Sequence, residues 1–132
     1  MERDLVISSQ LLNIDKVRCF LDEFFTESCL KKSYYNRVLL GISEAINNSI
    51  VHGNELDDKK KVSLEIKHFN NELIIVIKDE GRGFDFECIN DPTCSDNLRK
   101  ENGRGIFLLR KMANEVKYYD GGRSVMIKFN LD

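Results

Sequence analysis

The chain has 132 residues, of which 42% are hydrophobic and 32% charged, and its formal net charge is −2. This length suits one domain with its own core, and the near-neutral charge gives no basic face for direct nucleic-acid binding. No apolar run reaches the roughly 18 residues of a membrane span, and the opening Met-Glu-Arg-Asp lacks the apolar core of a signal peptide. We therefore expect a single cytoplasmic domain over residues 1–132, with no membrane contact.

The first part of the chain predicts one short strand and two helices. Leu5-Val6-Ile7 is interpreted as an edge strand or as a frayed terminus. Apolar residues then recur at helical spacing from about Asn13 to Cys29, and again from about Tyr34 to His52. Ser33 is a candidate N-cap for the second helix, and Gly53 is placed to end it as a C-terminal glycine.

The second helix carries two polar side chains on a face of their own. Glu44 and Asn48 are four residues apart, so a helix places one above the other. An asparagine oxygen is a suitable ligand for Mg²⁺, and a nearby glutamate can take a proton from an attacking hydroxyl. The packing face is a separate stripe of apolar and small residues: Val38, Ile42, Ala45 and Ser49.

A hairpin follows, and its second strand ends in an acidic, glycine-rich turn. Residues 61–67 alternate between apolar and polar, Asn70-Asn71 suits a tight turn, and residues 73–78 are apolar enough for a central strand. Asp79 then stands at the strand end, followed by Gly81 and Gly83. A carboxylate there can accept a hydrogen bond from an exocyclic amine such as that of adenine, and glycines allow close backbone approach.

The last part of the chain predicts a third helix and two strands. Gly103 and Gly105 open a helix of residues 105–113, whose N-terminal amides could bind an anion. Strands are predicted at residues 116–119 and 125–131, joined by an Asp-Gly-Gly turn. The order of elements indicates an α+β fold: a two-layer sandwich of a mostly antiparallel sheet with helices on one face.

Residues 84–102 form a long polar segment between the two glycine pairs. A segment of this length in a small domain is usually functional or disordered. The four cysteines (Cys19, Cys29, Cys88 and Cys94) form no Cys-x-x-Cys pair, so we interpret them as buried or idle thiols rather than as zinc ligands or disulfides.

The three stretches in this order resemble the N, G1 and G2 boxes of the Bergerat-fold ATPases. Ser43-Glu44-Ala45, Asn48 and His52-Gly53 are most similar to the partner-switching anti-sigma factor serine/threonine-protein kinases, as are residues 103–108 and 114–116. The resemblance covers nearly the whole chain. It implies ATP and Mg²⁺ as cofactors, and a sigma factor and an antagonist STAS-domain protein as partners, with a homodimer as one assembly.

The resemblance also implies roles for individual residues. Asn48 would coordinate Mg²⁺, Glu44 would orient or deprotonate the acceptor, and Asp79 would bind adenine beside Gly81 and Gly83. Gly103 and Gly105 would present amides to phosphate, with Arg104 meeting phosphate, partner or solvent. Residues 84–102 would form an ATP lid rather than an inert insertion, and Arg18 would contact a sigma factor unless it is an ordinary surface arginine.

One position departs from the family pattern. Many relatives have Gly-Thr entering the last strand, with a hydroxyl that helps to bind nucleotide, whereas this chain reads Gly122-Arg123-Ser124. Ser124 would supply the hydroxyl from a shifted position, or the contact is absent. Two classes of function follow: a kinase that phosphorylates an antagonist, or a nucleotide-binding adaptor with weak or no catalysis.

Overall fold

The protein, seen here as a computed structural model, is described by the structure over residues 1–82 and 109–131. Within these residues five strands form one sheet in which every neighbouring pair is antiparallel. Its order is β1-β2-β3-β5-β4, so β3 is central and β1 lies at an edge, as the sequence predicted for both. The strands are β1 (Glu2–Ser8), β2 (Lys61–Phe69), β3 (Glu72–Lys78), β4 (Glu115–Tyr119) and β5 (Ser124–Asn130).

Two long helices cover one face of this sheet. They are α1 (Ile14–Glu27) and α2 (Tyr35–Asn48), and their buried side chains join those of the strands in one core. Strand β2 has one buried face and one exposed face: Val62, Leu64 and Ile66 are buried, while Lys61 and Lys67 are exposed. The described residues therefore form the predicted α+β sandwich with its helices on one face.

The ends of α2 differ from the prediction. Ser33 lies in a 3₁₀ turn (Lys32–Tyr34) and does not cap α2, which has no side-chain cap. At the other end a π-helical turn, Ser49–Gly53, continues the helix. Gly53 does not have the positive φ of a C-terminal glycine cap, so that prediction is wrong. Such π-helical turns are rare and frequently occur at functional sites.

Both predicted turns are confirmed. Asn70 and Asn71 have φ of 49° and 62° and join β2 to β3, as expected for asparagine in a tight hairpin. Positive φ values also occur at Asp120, Gly121 and Gly122, where the chain reverses between β4 and β5.

Residues 109–112 are helical, which agrees with the end of the third predicted helix. Its beginning and the predicted ATP lid, residues 84–102, lie outside the described residues. No helix in the described ranges is long and apolar enough to span a membrane.

Candidate nucleotide-binding site

The polar face of α2 lies beside β5 and the described part of the third helix. Glu44 and Asn48 are both partly exposed and occur one helical turn apart, as the sequence predicted. Gly41, a further turn towards the N-terminus, packs so closely that an added Cβ would lie 3.1 Å from Phe129 Cζ and 3.5 Å from Leu109 Cδ1. The absence of a side chain at Gly41 therefore lets this side of α2 pack against the third helix and β5, which both follow residues 83–108 in the chain.

Asp79 follows β3 and is held against the π-helical end of α2. Its Oδ1 accepts a hydrogen bond of 2.8 Å from the backbone N–H of Gly81, and the Ser49 side chain also hydrogen-bonds to it. Burial raises the pKa of the Asp79 carboxyl above its ordinary value. These two hydrogen bonds and the positive charges of Arg123 and Lys60 lower the pKa, but only in part. Asp79 is thus a partly desolvated acceptor in a fixed position.

Two glycines make this close approach possible. A Cβ at Gly53 would lie 2.5 Å from Asp79 Oδ2, and a Cβ at Gly81 would overlap the carbonyl oxygen of Gly53. Any larger residue at either position would separate α2 from the turn after β3. Gly53 is therefore required by its contact with Asp79 and not by a helix cap.

Asn54, which is fully buried, connects four segments of the chain. Its Nδ2 donates to Ser9 Oγ (2.7 Å) and to the Lys61 carbonyl (2.9 Å), and its Oδ1 accepts from the backbone N–H of Glu80 (2.8 Å). Its own backbone N–H donates to the Ser49 carbonyl at 2.8 Å. Asn54 therefore holds the end of the helix against the starts and ends of three neighbouring strands, next to Asp79.

The pairing of β3 with β5 places Arg123, and not Ser124, beside Asp79. Ile77 pairs with Val125 and Lys78 with Ser124, and the Asp79 backbone N–H donates to the Arg123 carbonyl at 2.9 Å. Because side chains alternate along a strand, Ser124 lies on the opposite face of the sheet from Val125 and Ile77, whereas Asp79 is hydrogen-bonded to Ser49 of the helix layer. This register argues against the expectation that Ser124 contacts the nucleotide.

Comparison with known proteins agrees with this geometry. Residues 7–129 match the family described as the histidine kinase-like ATPase domain. The chain belongs to this ATPase family. The fold and the positions of Glu44, Asn48, Asp79 and Gly81 are consistent with that membership.

The chain is also similar to serine-protein kinases RsbW. It is 28% identical over 95 residues to the protein of Listeria monocytogenes serotype 4a (strain HCC23), covering 67% of this chain and 60% of that protein. It is 32% identical over 100 residues to the protein of Staphylococcus epidermidis, covering 68% of this chain and 62% of that protein. The chain thus matches about three fifths of the length of these relatives.

The structure brings together only some of the site residues predicted for an ATPase of this family. Glu44 and Asn48 lie on α2, and Asp79 and Gly81 meet the end of its π-helical extension. The other four glycine-box residues lie outside the described part of the chain: Gly83, Gly103, Arg104 and Gly105.

Arg18 lies near the other end of α2. It is exposed on α1, and its charge acts on Tyr35, the first residue of α2. Tyr35 and Asn48 are 13 residues apart, which corresponds to about 20 Å along a helix. A surface around Arg18 is therefore separate from the nucleotide site.

Sequence reasoning does not identify three residues that contact Asp79 or its turn in the candidate site. Ser49 was assigned to the packing stripe, although its side chain also reaches Asp79. Asn54 and Arg123 were given no role, because their partners are distant in sequence. The signal for Asn54 was a polar residue directly after a helix that ends in glycine, and the signal for Arg123 was the departure from Gly-Thr.

The described residues fit an adenine nucleotide with a single asparagine ligand for Mg²⁺. The fit rests on Asp79, an acceptor that is fixed where Gly53 and Gly81, which have no side chains, let the end of α2 meet the turn after β3. Within the described ranges no group of three or more His, Cys, Asp or Glu side chains could hold a metal ion. A magnesium ion at Asn48 would accordingly take most of its ligands from phosphate and water.

Proposed function

We propose that this chain is an ATP-dependent serine/threonine-protein kinase of the anti-sigma type. It phosphorylates a serine or threonine of an antagonist STAS-domain protein and sequesters a sigma factor. The observation that carries this proposal is the half-buried Asp79 carboxylate, which is fixed by Ser49 and Gly81 at the end of the helix that presents Glu44 and Asn48.

The adenine end of the site is the best defined. Ionised Asp79 accepts a hydrogen bond from the exocyclic amine of adenine, while Gly53 and Gly81, which have no side chains, let the end of α2 and the turn after β3 pack against this carboxylate. A guanine base has a carbonyl oxygen at the equivalent position. That oxygen and the Asp79 carboxylate are both acceptors, so they would repel each other. The site therefore selects adenine nucleotides.

The phosphate end of the site lies towards the N-terminus of α2. Glu44 precedes Ser49 by five residues, or about 7.5 Å along a helix. Mg-ATP, when bound, supplies the phosphoryl group and the charge compensation for its transfer. Asn48 would hold the ion and Glu44 would orient or deprotonate the acceptor hydroxyl. The amides of Gly103 and Gly105 would bind phosphate, and Arg104 would meet phosphate, partner or solvent.

The partner surface is proposed around Arg18 on α1. Arg18 is exposed there, and Asp22, one turn further along the same helix, is hydrogen-bonded to Tyr35 of α2. Burial and this hydrogen bond raise the pKa of Tyr35 to about 12, so the phenol stays protonated at physiological pH. A rigid surface with an exposed cation suits an acidic segment of a sigma factor. Association as a homodimer remains a prediction.

A matched set of variants tests the division of roles on α2. Glu44→Ala should slow single-turnover phosphoryl transfer by about 10²- to 10⁴-fold and leave Mg-ATP affinity nearly unchanged. Asn48→Ala should lose both transfer and Mg-dependent affinity. Asn47→Ala is the control, because Asn47 is a neighbouring amide that is also partly exposed. Equal loss of affinity in the Glu44 and Asn48 variants would contradict these roles.

The second candidate function is a nucleotide-binding adaptor with little or no catalysis. The observation that favours it is the entry to β5, where Arg123 stands beside Asp79 and Ser124 faces away. Wild-type protein that binds ATP and a sigma factor, yet transfers no phosphate to any antagonist protein, would establish the adaptor instead of the kinase.

A further inference from the structure

Arg123 connects the turn that carries Asp79 to the turn that precedes β5. Its Nε donates to the Gly81 carbonyl at 2.8 Å, and one of its terminal nitrogens donates to the Asp120 carbonyl at 2.9 Å. The Asp79 backbone N–H in turn donates to the Arg123 carbonyl at 2.9 Å. Both the side chain and the backbone of Arg123 thus hold the segment from Asp79 to Gly81.

These contacts form a continuous path to the carboxylate. Arg123 fixes the carbonyl of Gly81, and the N–H of Gly81 donates to Asp79 Oδ1 at 2.8 Å. A glycine turn is otherwise free to adopt many backbone conformations. The guanidinium is planar, and its donors have fixed relative directions, so it restrains the turn more than a flexible ammonium would.

We propose that Arg123 is a positioning residue for adenine recognition, which holds the turn from Asp79 to Gly81 in its binding geometry before nucleotide arrives. It thereby sets the preference for adenine over guanine nucleotides. This inference rests on the proposed function, because it assumes that Asp79 accepts a hydrogen bond from adenine. A turn that is already ordered avoids the entropy cost of ordering on binding.

Two substitutions separate the guanidinium from its charge. Arg123→Gln removes both the positive charge and the planar guanidinium group, whereas Arg123→Lys keeps the charge but not the guanidinium. Arg82→Gln is the matched control: Arg82 directly follows this turn, but its ion pair with Glu55 joins side chains that are 88% and 63% exposed. Exposed ion pairs of this kind contribute little to the free energy of folding. The measurement is the dissociation constants of Mg-ADP and Mg-GDP by calorimetry, with folding verified by thermal unfolding.

The expected result is a change in nucleotide preference. Arg123→Gln should weaken ADP binding about tenfold and leave the weaker GDP binding unchanged, so that the ratio of the two affinities falls about tenfold. Arg123→Lys should lie between this variant and the wild type, and Arg82→Gln should stay within about twofold of the wild type.

Other outcomes overturn the inference. Equal weakening of ADP and GDP, or no change in their ratio, would show that Arg123 only stabilises the fold. If Arg123→Gln does not fold, an unchanged ratio in Arg123→Lys has the same meaning. Wild-type protein that binds ADP no better than GDP would overturn the proposed function together with this inference, whereas an adenine preference unaffected in the Arg123 variants overturns the inference alone.

Discussion

At the scale of single residues, the stability of the fold and the proposed binding of adenine favour opposite protonation states of Asp79. Burial raises the pKa of its carboxyl, yet the proposed recognition of adenine needs the ionised form. Because the folded-state pKa lies above the ordinary value of 3.8, its stabilising contribution is complete below that pH and is lost as the pH rises through the folded-state pKa. At neutral pH the ionised carboxylate therefore lowers the stability of the folded protein.

Asp79→Asn should consequently separate stability from binding. At neutral pH the variant should unfold at the same or a higher temperature than the wild type, and this difference should vanish at low pH. Its ADP affinity should fall because an amide presents a donor where an acceptor is needed, a mismatch of about 1–3 kcal/mol. Thermal unfolding at several pH values and calorimetry with ADP measure the two effects.

Asp58→Asn is the control for charge, because Asp58 is an exposed carboxylate in the loop before β2. It should change neither property. ADP affinity of the wild type should also decrease as the pH falls through the raised pKa of Asp79, and that pH dependence should be absent from Asp79→Asn. Unchanged ADP affinity in Asp79→Asn would assign Asp79 a structural role.

At the scale of elements, the junction between α2 and the sheet depends on Asn54. The helix ends in a π-helical turn, and the next residue makes hydrogen bonds to segments that adjoin β1, β2 and β3. A buried side-chain amide of this kind is stabilising when all its partners are satisfied and costly when one is lost. The position of Asp79 relative to α2 is therefore set by a residue outside the proposed nucleotide contacts.

Asn54→Ala should destabilise the whole domain. It leaves the buried Ser9 Oγ and the partly buried Lys61 carbonyl and Glu80 N–H without their side-chain partner, at about 1–3 kcal/mol for a fully buried group and less for the other two. The free energy of unfolding in urea should fall by about 2 kcal/mol or more. Asn36→Ala, at an exposed position of α2, should change it by no more than about 0.5 kcal/mol. Equal effects in the two variants would show that the buried network is dispensable.

At the scale of the whole molecule, the five-stranded antiparallel sheet and its helix layer form the framework that carries both ends of the proposed site. Asp79 follows the central strand and Arg123 precedes a strand next to it, while α2 crosses the same face of the sheet. A ligand that contacts these elements together binds the folded state alone, so it must stabilise the domain against unfolding.

Mg-ADP should therefore raise the melting temperature. At a hundredfold excess over its dissociation constant, a ligand of the native state adds about 2.7 kcal/mol, which corresponds to roughly 10 °C for a domain of this size. The shift should shrink when Mg²⁺ is chelated, and it should be small for Asp79→Asn. The absence of any shift with millimolar Mg-ADP would contradict nucleotide binding.

The sequence by itself determined the elements and most of the fold. Periodicity identified the strands and the packing faces of both helices, and Asn70-Asn71 identified the hairpin, because these signals act between residues close in the chain. Asn48 and Asp79 are predicted site residues through local patterns of the same kind: a helical spacing and a strand end before glycines. The predictions were wrong at Ser33, which lies in a 3₁₀ turn and does not cap α2, and at Gly53, whose contact with Asp79 joins residues distant in sequence.

Only the tertiary structure decided which residues meet at Asp79. Gly53, Asn54 and Arg123 reach this carboxylate or its turn from segments 25 to 44 residues away, and no local pattern encodes such contacts. The register of β3 with β5 likewise decided that Ser124 pairs with Lys78 and that the Arg123 carbonyl meets the Asp79 N–H. A shift of one residue would bring a different residue to Asp79 and turn the side chains of β5 to the other face, and register is fixed by the packing of the whole sheet.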